Sequence, residues 1–189
     1  MFMIDIETLG VESTCVVLSA AIVYFDPEEE QNFDDLVNKA LVVKFDAKDQ
    51  INTFNRTITK STLEWWNRQS DKVRKISFDP NAEVEISVRE GLEQIRGYMA
   101  QFPNHDKSTV WARGSLDQLA IDSLARAAKT DPIAPFWVWR DVRTAIDCLT
   151  GSTTGYAAVA NEGFVLDNVV KHNPAHDCAY DVMMLLYGK

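Results

Sequence analysis

Asp5 and Glu7 lie two residues apart in the apolar run Met1-Phe2-Met3-Ile4-Asp5-Ile6-Glu7-Thr8-Leu9-Gly10. An extended strand sends residues i and i+2 to the same face, so both carboxylates aim at one place. Two like charges on a buried strand are costly unless something positive stands between them. A hard divalent cation meets that need, because oxygen ligands suit magnesium or manganese. The chain must therefore fold so that the end of its first strand opens into a polar, cation-holding site.

Around that strand the pattern is α/β. Residues 15–25 are β-rich and nearly all apolar, which predicts a buried second strand, and Leu41–Phe45 predicts a third. Residues 46–59 read as a loop. Ser61-Thr62-Leu63-Glu64 has capping-box spacing and predicts a helix carrying Trp65, Trp66 and Arg68. Val84, Val88, Leu92, Ile95 and Met99 form a helical stripe over 83–101. Short strands are predicted at 109–112 and 136–139. Helices are predicted at 116–129, 144–149 and 177–187, with a Gly-Ser-Thr loop at 151–155. Three strands followed by alternating helices and strands give one domain over residues 1–189, with a mixed five-stranded sheet flanked by helices, the ribonuclease-H-like order.

Three further groups carry chemistry. Asp117 follows the fourth strand at the start of a helix, where α/β folds assemble polar sites, although a helix-start acid also simply complements the dipole. Asp181 enters the apolar run Val182–Tyr187, where either a salt bridge or a metal would balance it. His176 precedes it in His176-Asp177-Cys178-Ala179-Tyr180-Asp181. His172 and His176 stand four apart, which suggests zinc, but Pro174 lies between them and no Glu follows His172.

Asp5, Glu7, Asp117, His176 and Asp181 occur in the order of the DEDDh exonucleases, and the chain resembles that superfamily. The closer resemblance is to the T-even phage exonuclease A type. It rests on Ile58–Trp66, Arg113-Gly114, Arg140–Thr144, Gly163-Phe164-Val165 and His176–Asp181. It implies a metal-dependent 3′-5′ exonuclease that releases 5′-mononucleotides. Asp5, Glu7 and Asp181 would hold one Mg2+ or Mn2+ ion, Asp5 and Asp117 a second, and His176 would be the general base. Thr8 would meet the terminal 3′-hydroxyl and Leu9 would wedge against the last base. The chain departs from the resemblance at its end: it stops at Lys189, eight residues after Asp181, which cuts the final helix short and leaves its packing, and any dimer contact through it, open.

Charge bears on the partner. The net charge is −9, yet residues 36–75 hold nine Lys/Arg against four acids. Arg56, Lys60, Trp65, Trp66 and Arg68 would line the approach of a strand by charge and stacking, unless the tryptophans are core and the basic stretch a solvated face. Arg113 and Arg143 would contact phosphate or pair with site carboxylates. The resemblance favours single-stranded DNA over RNA and allows a homodimer. An inactive nucleic-acid-binding module and a metal-binding structural protein are the rival classes. With no apolar run of roughly 18 residues, no basic leader, and three cysteines (Cys15, Cys148, Cys178) in no paired spacing, the expectation is a cytoplasmic protein without a membrane span.

Overall fold

A computed structural model describes residues 1–78 and 85–189. Its strands are β1 (Phe2–Thr8), β2 (Val17–Tyr24), β3 (Leu41–Lys44), β4 (Val110–Ala112) and β5 (Trp139–Asp141), in the order β3-β2-β1-β4-β5. The first three are antiparallel, whereas β4 and β5 run parallel to β1. The helices are α1 (Phe33–Lys39), α2 (Ala47–Phe54), α3 (Lys60–Asn67), α4 (Asp71–Phe78), α5 (Val88–Met99), α6 (Leu116–Ala127), α7 (Val142–Thr150) and α8 (Pro174–Tyr187). The mixed five-stranded α/β sheet is the one expected.

β1 divides two cores. Phe2, Ile4 and Ile6 pack with Leu92 and Ile95 of α5 and with Ile121 and Leu124 of α6. Met3 packs on the opposite face with Cys178, Ala179 and Val182 of α8. Strand alternation then obliges Asp5 and Glu7 to continue the face of Met3, toward α8. β4 pairs with β1 only at Phe2 and Met3, and leaves the sheet at Ala112. The backbone turns at Gly114 (φ +85°) into α6. That early departure exposes the Ile6 N–H, and Asp117 of α6 accepts it at 3.2 Å.

Several local expectations change. Residues 47–54 are helical, not a loop, because Asp46 caps them by accepting from Asp49 N at 2.9 Å. α3 begins at Lys60 with Thr59 as its cap residue, so Ser61 and Glu64 form no capping box; Glu64 instead pairs with Lys60 at 3.7 Å. α1, whose Phe33, Leu36 and Val37 fall at helical spacing, and α4 were not among the expected helices. The stripe over 83–101 is helical from Val88, with Ser87 as cap and Ile86 bridging to Phe45; Val84 lies outside the described residues. Phe136–Val138 is a 3-10 turn after Pro135, and the strand is Trp139–Asp141. Phe136 and Trp137 have strand-forming side chains but no sheet surface to pack against, and packing is what β-propensity measures. α8 begins at Pro174 behind Asn173, which accepts from Ala175 N, and it buries eight residues. The final helix is thus a main packing element. No helix among the described residues is long and apolar enough to cross a membrane.

Two glycines of α5 meet different surroundings. A Cβ on Gly91 would overlap the buried Phe45 ring and lie 2.8 Å from Val43, whereas Gly97 is exposed with nothing among the described residues within 4 Å. Gly97→Ala should stabilise by about 0.5–1 kcal/mol. Gly91→Ala should destabilise, since overpacking costs about 1–3 kcal/mol and outweighs the same helix gain. Urea denaturation of both variants checks this, and a stabilised Gly91→Ala would contradict the close approach.

Candidate active site

Five carboxylates gather between β1, α6 and α8. Glu7 is buried and Asp5 half-buried at the end of β1. Asp117 is buried in the first turn of α6. Asp177 and Asp181 stand four residues apart on α8, so one helix face carries both toward β1. Burial, more than any neighbour, pushes Asp5 and Glu7 well above the carboxylate range. The charge of Asp177, then that of Asp117, pushes in the same direction. Burial raises Asp117 to about 7 against the opposing Ile6 N–H, and raises Asp177 to about 7 against the His172 N–H, which donates to its Oδ2 at 2.8 Å.

Asp181 has its own counter-charge. Arg113 Nε donates to its Oδ1 and Oδ2 at 3.0 and 3.1 Å, and Nη2 adds a further bond. The remaining Nη1 donates to Gly155 O at 2.9 Å, and the guanidinium lies 4.3 Å from the centre of the Tyr156 ring. Burial still raises Asp181, with Arg113 opposing it. Among the described residues, Asp181 is the expected site acid that forms a salt bridge with an arginine.

The two histidines are separated. His172 Nδ1 lies 3.9 Å from Glu7 Oε1, and the ligand atoms of Glu7, His172 and Asp177 all fall within 4.8 Å of one another. Its ring stands edge-on to Trp65 and Trp66 at 4.9 and 5.9 Å. Burial holds it below the ordinary histidine value, with Lys171 adding to the effect. His176 instead accepts the Val170 N–H on Nδ1 at 3.3 Å and packs 5.5 Å from Phe33. Helix geometry explains the difference. His176 and Asp181 are five residues apart on α8, about 140° around the helix, so they do not share a face. His172 precedes the cap Asn173 in a left-handed backbone (φ +62°) and is free of that phase. The segment His172-Asn173-Pro174-Ala175-His176-Asp177 repeats the His-x4-Asp spacing one register earlier. That overlapping match was the signal for His172 and Asp177. The separation of the histidines also removes the joint zinc reading.

Beside Glu7 is a pocket of ≈ 390 Å³ lined by Thr8, Gly10, Val11, Trp65 and Leu116 among others. Leu9 does not line it: it is buried with Val16, Leu18 and Trp66, and Val11, 66% exposed, stands at the mouth instead. Thr8 Oγ1 donates to Gly10 O at 2.6 Å, and Trp66 Nε1 donates to Thr8 O at 3.0 Å. Trp66 is thus a core residue that also lines the pocket, beside the more exposed Trp65. Arg56 is not on a strand path. It is buried and donates to the Ser13 and Cys15 carbonyls and to Ser123 Oγ. Lys60, Arg68 and Arg143 are exposed.

The raised carboxyls bind protons more tightly in the folded chain than in the unfolded one. The stability linked to this is full below the unfolded value of 3.8 for Asp117 and is lost as pH rises through about 7. In EDTA, the melting temperature should fall by several degrees between roughly pH 5 and pH 8. Asp117→Asn should flatten that fall and melt higher at the alkaline end. A steeper fall in the variant would contradict the electrostatic picture.

Residues 1–187 match the family described as the 3′-5′ exoribonuclease Rv2179c-like domain. The chain is also 34% identical over 205 aligned positions to the exodeoxyribonuclease of Enterobacteria phage T4, covering 99% of this chain and 88% of that protein. The two descriptions agree on an exonuclease and differ in the sugar. With buried carboxylates at the end of β1 and a match spanning nearly its whole length, the chain belongs to the 3′-5′ exoribonuclease Rv2179c-like domain family and is a 3′-5′ exonuclease.

Proposed function

We propose that this exonuclease, one catalytic domain over residues 1–189, removes 5′-mononucleotides from the 3′ end of single-stranded DNA. Asp5, Glu7, Asp117 and Asp177 would be ligands for two divalent cations, magnesium or manganese, and His172 would be the general base. The observation that carries this is the convergence of Glu7, His172 and Asp177 beside Asp5 and Asp117. Desolvated carboxylates with little counter-charge suit hard cations, so the donor set fits the group. Two such cations, when bound, stabilise the attacking and leaving oxygens of an in-line displacement.

The chain's own residues do the rest. His172 is kept neutral by burial, which leaves a ring nitrogen able to take a proton from an attacking water. Trp65 and Trp66 fix its ring edge-on. The Thr8 hydroxyl is oriented by Gly10 O, so its oxygen can accept from a terminal 3′-hydroxyl. Trp65, Val11 and Leu116 offer apolar walls for the last base. Placing His176 and Asp181 in the base and metal roles would cost the Arg113 ion pair and the Val170 and Phe33 contacts. DNA is favoured because the relative that covers 99% of the chain is an exodeoxyribonuclease.

The test uses 5′-labelled single-stranded DNA, duplex DNA and RNA, each with magnesium and with manganese. Single-stranded DNA should be shortened fastest from its 3′ end. His172→Ala should lower kcat by about 10²–10⁴-fold, and His176→Ala by less than about tenfold. A larger loss in His176→Ala than in His172→Ala would overturn the assignment of the base. Faster digestion of RNA would overturn the choice of sugar.

A further inference from the structure

A second cleft, also ≈ 390 Å³, lies on the other side of Asp117, lined by Gly114, Ser115, Gln118, Phe136, Arg140 and Asp141 among others. β1, β4 and β5 are parallel, so the carboxylates at the end of β1 and this cleft at the ends of β4 and β5 share one edge of the sheet. The start of α6 joins three features. Leu116 lines the pocket beside Glu7, Asp117 belongs to the carboxylate cluster, and Ser115 and Gln118 line the second cleft.

Phe136 lines this cleft, and its chain neighbour Trp137 stands just outside it. Phe136 and Trp137 are 76% and 64% exposed, with ring centres 5.1 Å apart at 85°. Two large aromatic rings this exposed cost solvation unless something stacks on them. Next to them, Arg140 is exposed and forms no salt bridge among the described residues. Its Nη1 is tied to Trp137 O and Trp139 O at 2.8 and 2.7 Å, which holds the guanidinium in place. The acid in the wall, Asp141, is already engaged by Gly114 N, Arg143 N and Thr144 Oγ1. A fixed cation beside exposed aromatic faces suits a phosphate followed by an unpaired base.

We propose that Phe136, Trp137 and Arg140 form a binding platform for nucleotides on the 5′ side of the scissile phosphate. Resting on the function proposed above, this gives the strand a direction: the 3′-terminal nucleotide in the pocket of Thr8 and Trp65, the scissile phosphate at the carboxylates, and the preceding nucleotides over β4 and β5. It also makes the preferred substrate an unpaired oligonucleotide, since a paired base has no free face to stack.

The experiment compares the full-length chain with Trp137→Ala/Arg140→Ala on the p-nitrophenyl ester of a 5′-mononucleotide and on a single strand of roughly 12 nucleotides. For the longer strand, KM should rise about 5- to 100-fold. The slope of log affinity against log salt should drop by roughly 0.7 for one lost phosphate contact. Hydrolysis of the mononucleotide ester, which places no nucleotide on the 5′ side, should be unchanged. Equal losses on both substrates, or no loss on either, would overturn the platform. So would a shift from dimer to monomer in sedimentation without a length-dependent loss, which would assign the aromatic face to a second copy. If the unsubstituted chain cleaved neither substrate, the proposed reaction would fail. Fluorescence anisotropy of the labelled strand would then still decide the platform, and an unchanged Kd in the variant would refute it.

Discussion

Burial of carboxylates at the end of β1, with repulsion among them as the second cause, is the constraint around which the site is built. Alternation along β1 leaves Asp5 and Glu7 no choice of face, because Phe2, Ile4 and Ile6 are committed to the α5–α6 core. α8 supplies two more acids to that face and α6 supplies the fifth. Burial works against ionising Asp5, Glu7, Asp117 and Asp177, so part of the folding free energy of the cation-free chain is spent on holding charge where water is scarce. Active sites commonly carry such strain, and the well-packed strands around it are what tolerate it.

Much of this was legible in the sequence, and where it was not, the reason is physical. The central strand, the mixed sheet and the acids Asp5, Glu7 and Asp117 follow from alternation and from the place of Asp117 after the fourth strand. α5 was legible from its stripe, since Val88, Leu92, Ile95 and Met99 all bury. α2 and α4 were not, because each buries a single residue, and a polar one, Gln50 and Ser77 respectively. Gln50 replaces an apolar anchor with hydrogen bonds to Val17 N and O. Apolar periodicity cannot register that kind of docking.

The histidine exposes a different limit. His172-x4-Asp177 and His176-x4-Asp181 are equal as spacings, and only the start of α8 distinguishes them. Had the helix begun at Asp177, His176 would have stood outside it and free to turn toward Glu7. With Asn173 as cap and Pro174 as the first helical residue, His176 is fixed in the first turn on a side that faces Phe33. Proline at that position and asparagine before it are ordinary helix-start residues. The boundary was readable, and it separates the two histidines, His172 beside Glu7 and His176 against Phe33.

The same shift of register gives Asp181 a reason to exist. It lies one turn beyond Asp177 and close enough to Asp5 to raise it further, so an uncompensated charge there would add to the repulsion. Arg113 removes that problem and does two other things with the same side chain. It ties the end of β4 to α8, and through Gly155 O and the Tyr156 ring it holds the loop after α7 against them. With Asp181 paired to Arg113, Asp5, Glu7, Asp117 and Asp177 form no salt bridge to a lysine or arginine among the described residues. Their four charges equal those of two divalent cations. A single cation would leave the other buried carboxyls to be neutralised by protons, which is the electrostatic argument for the proposed pair over a single site.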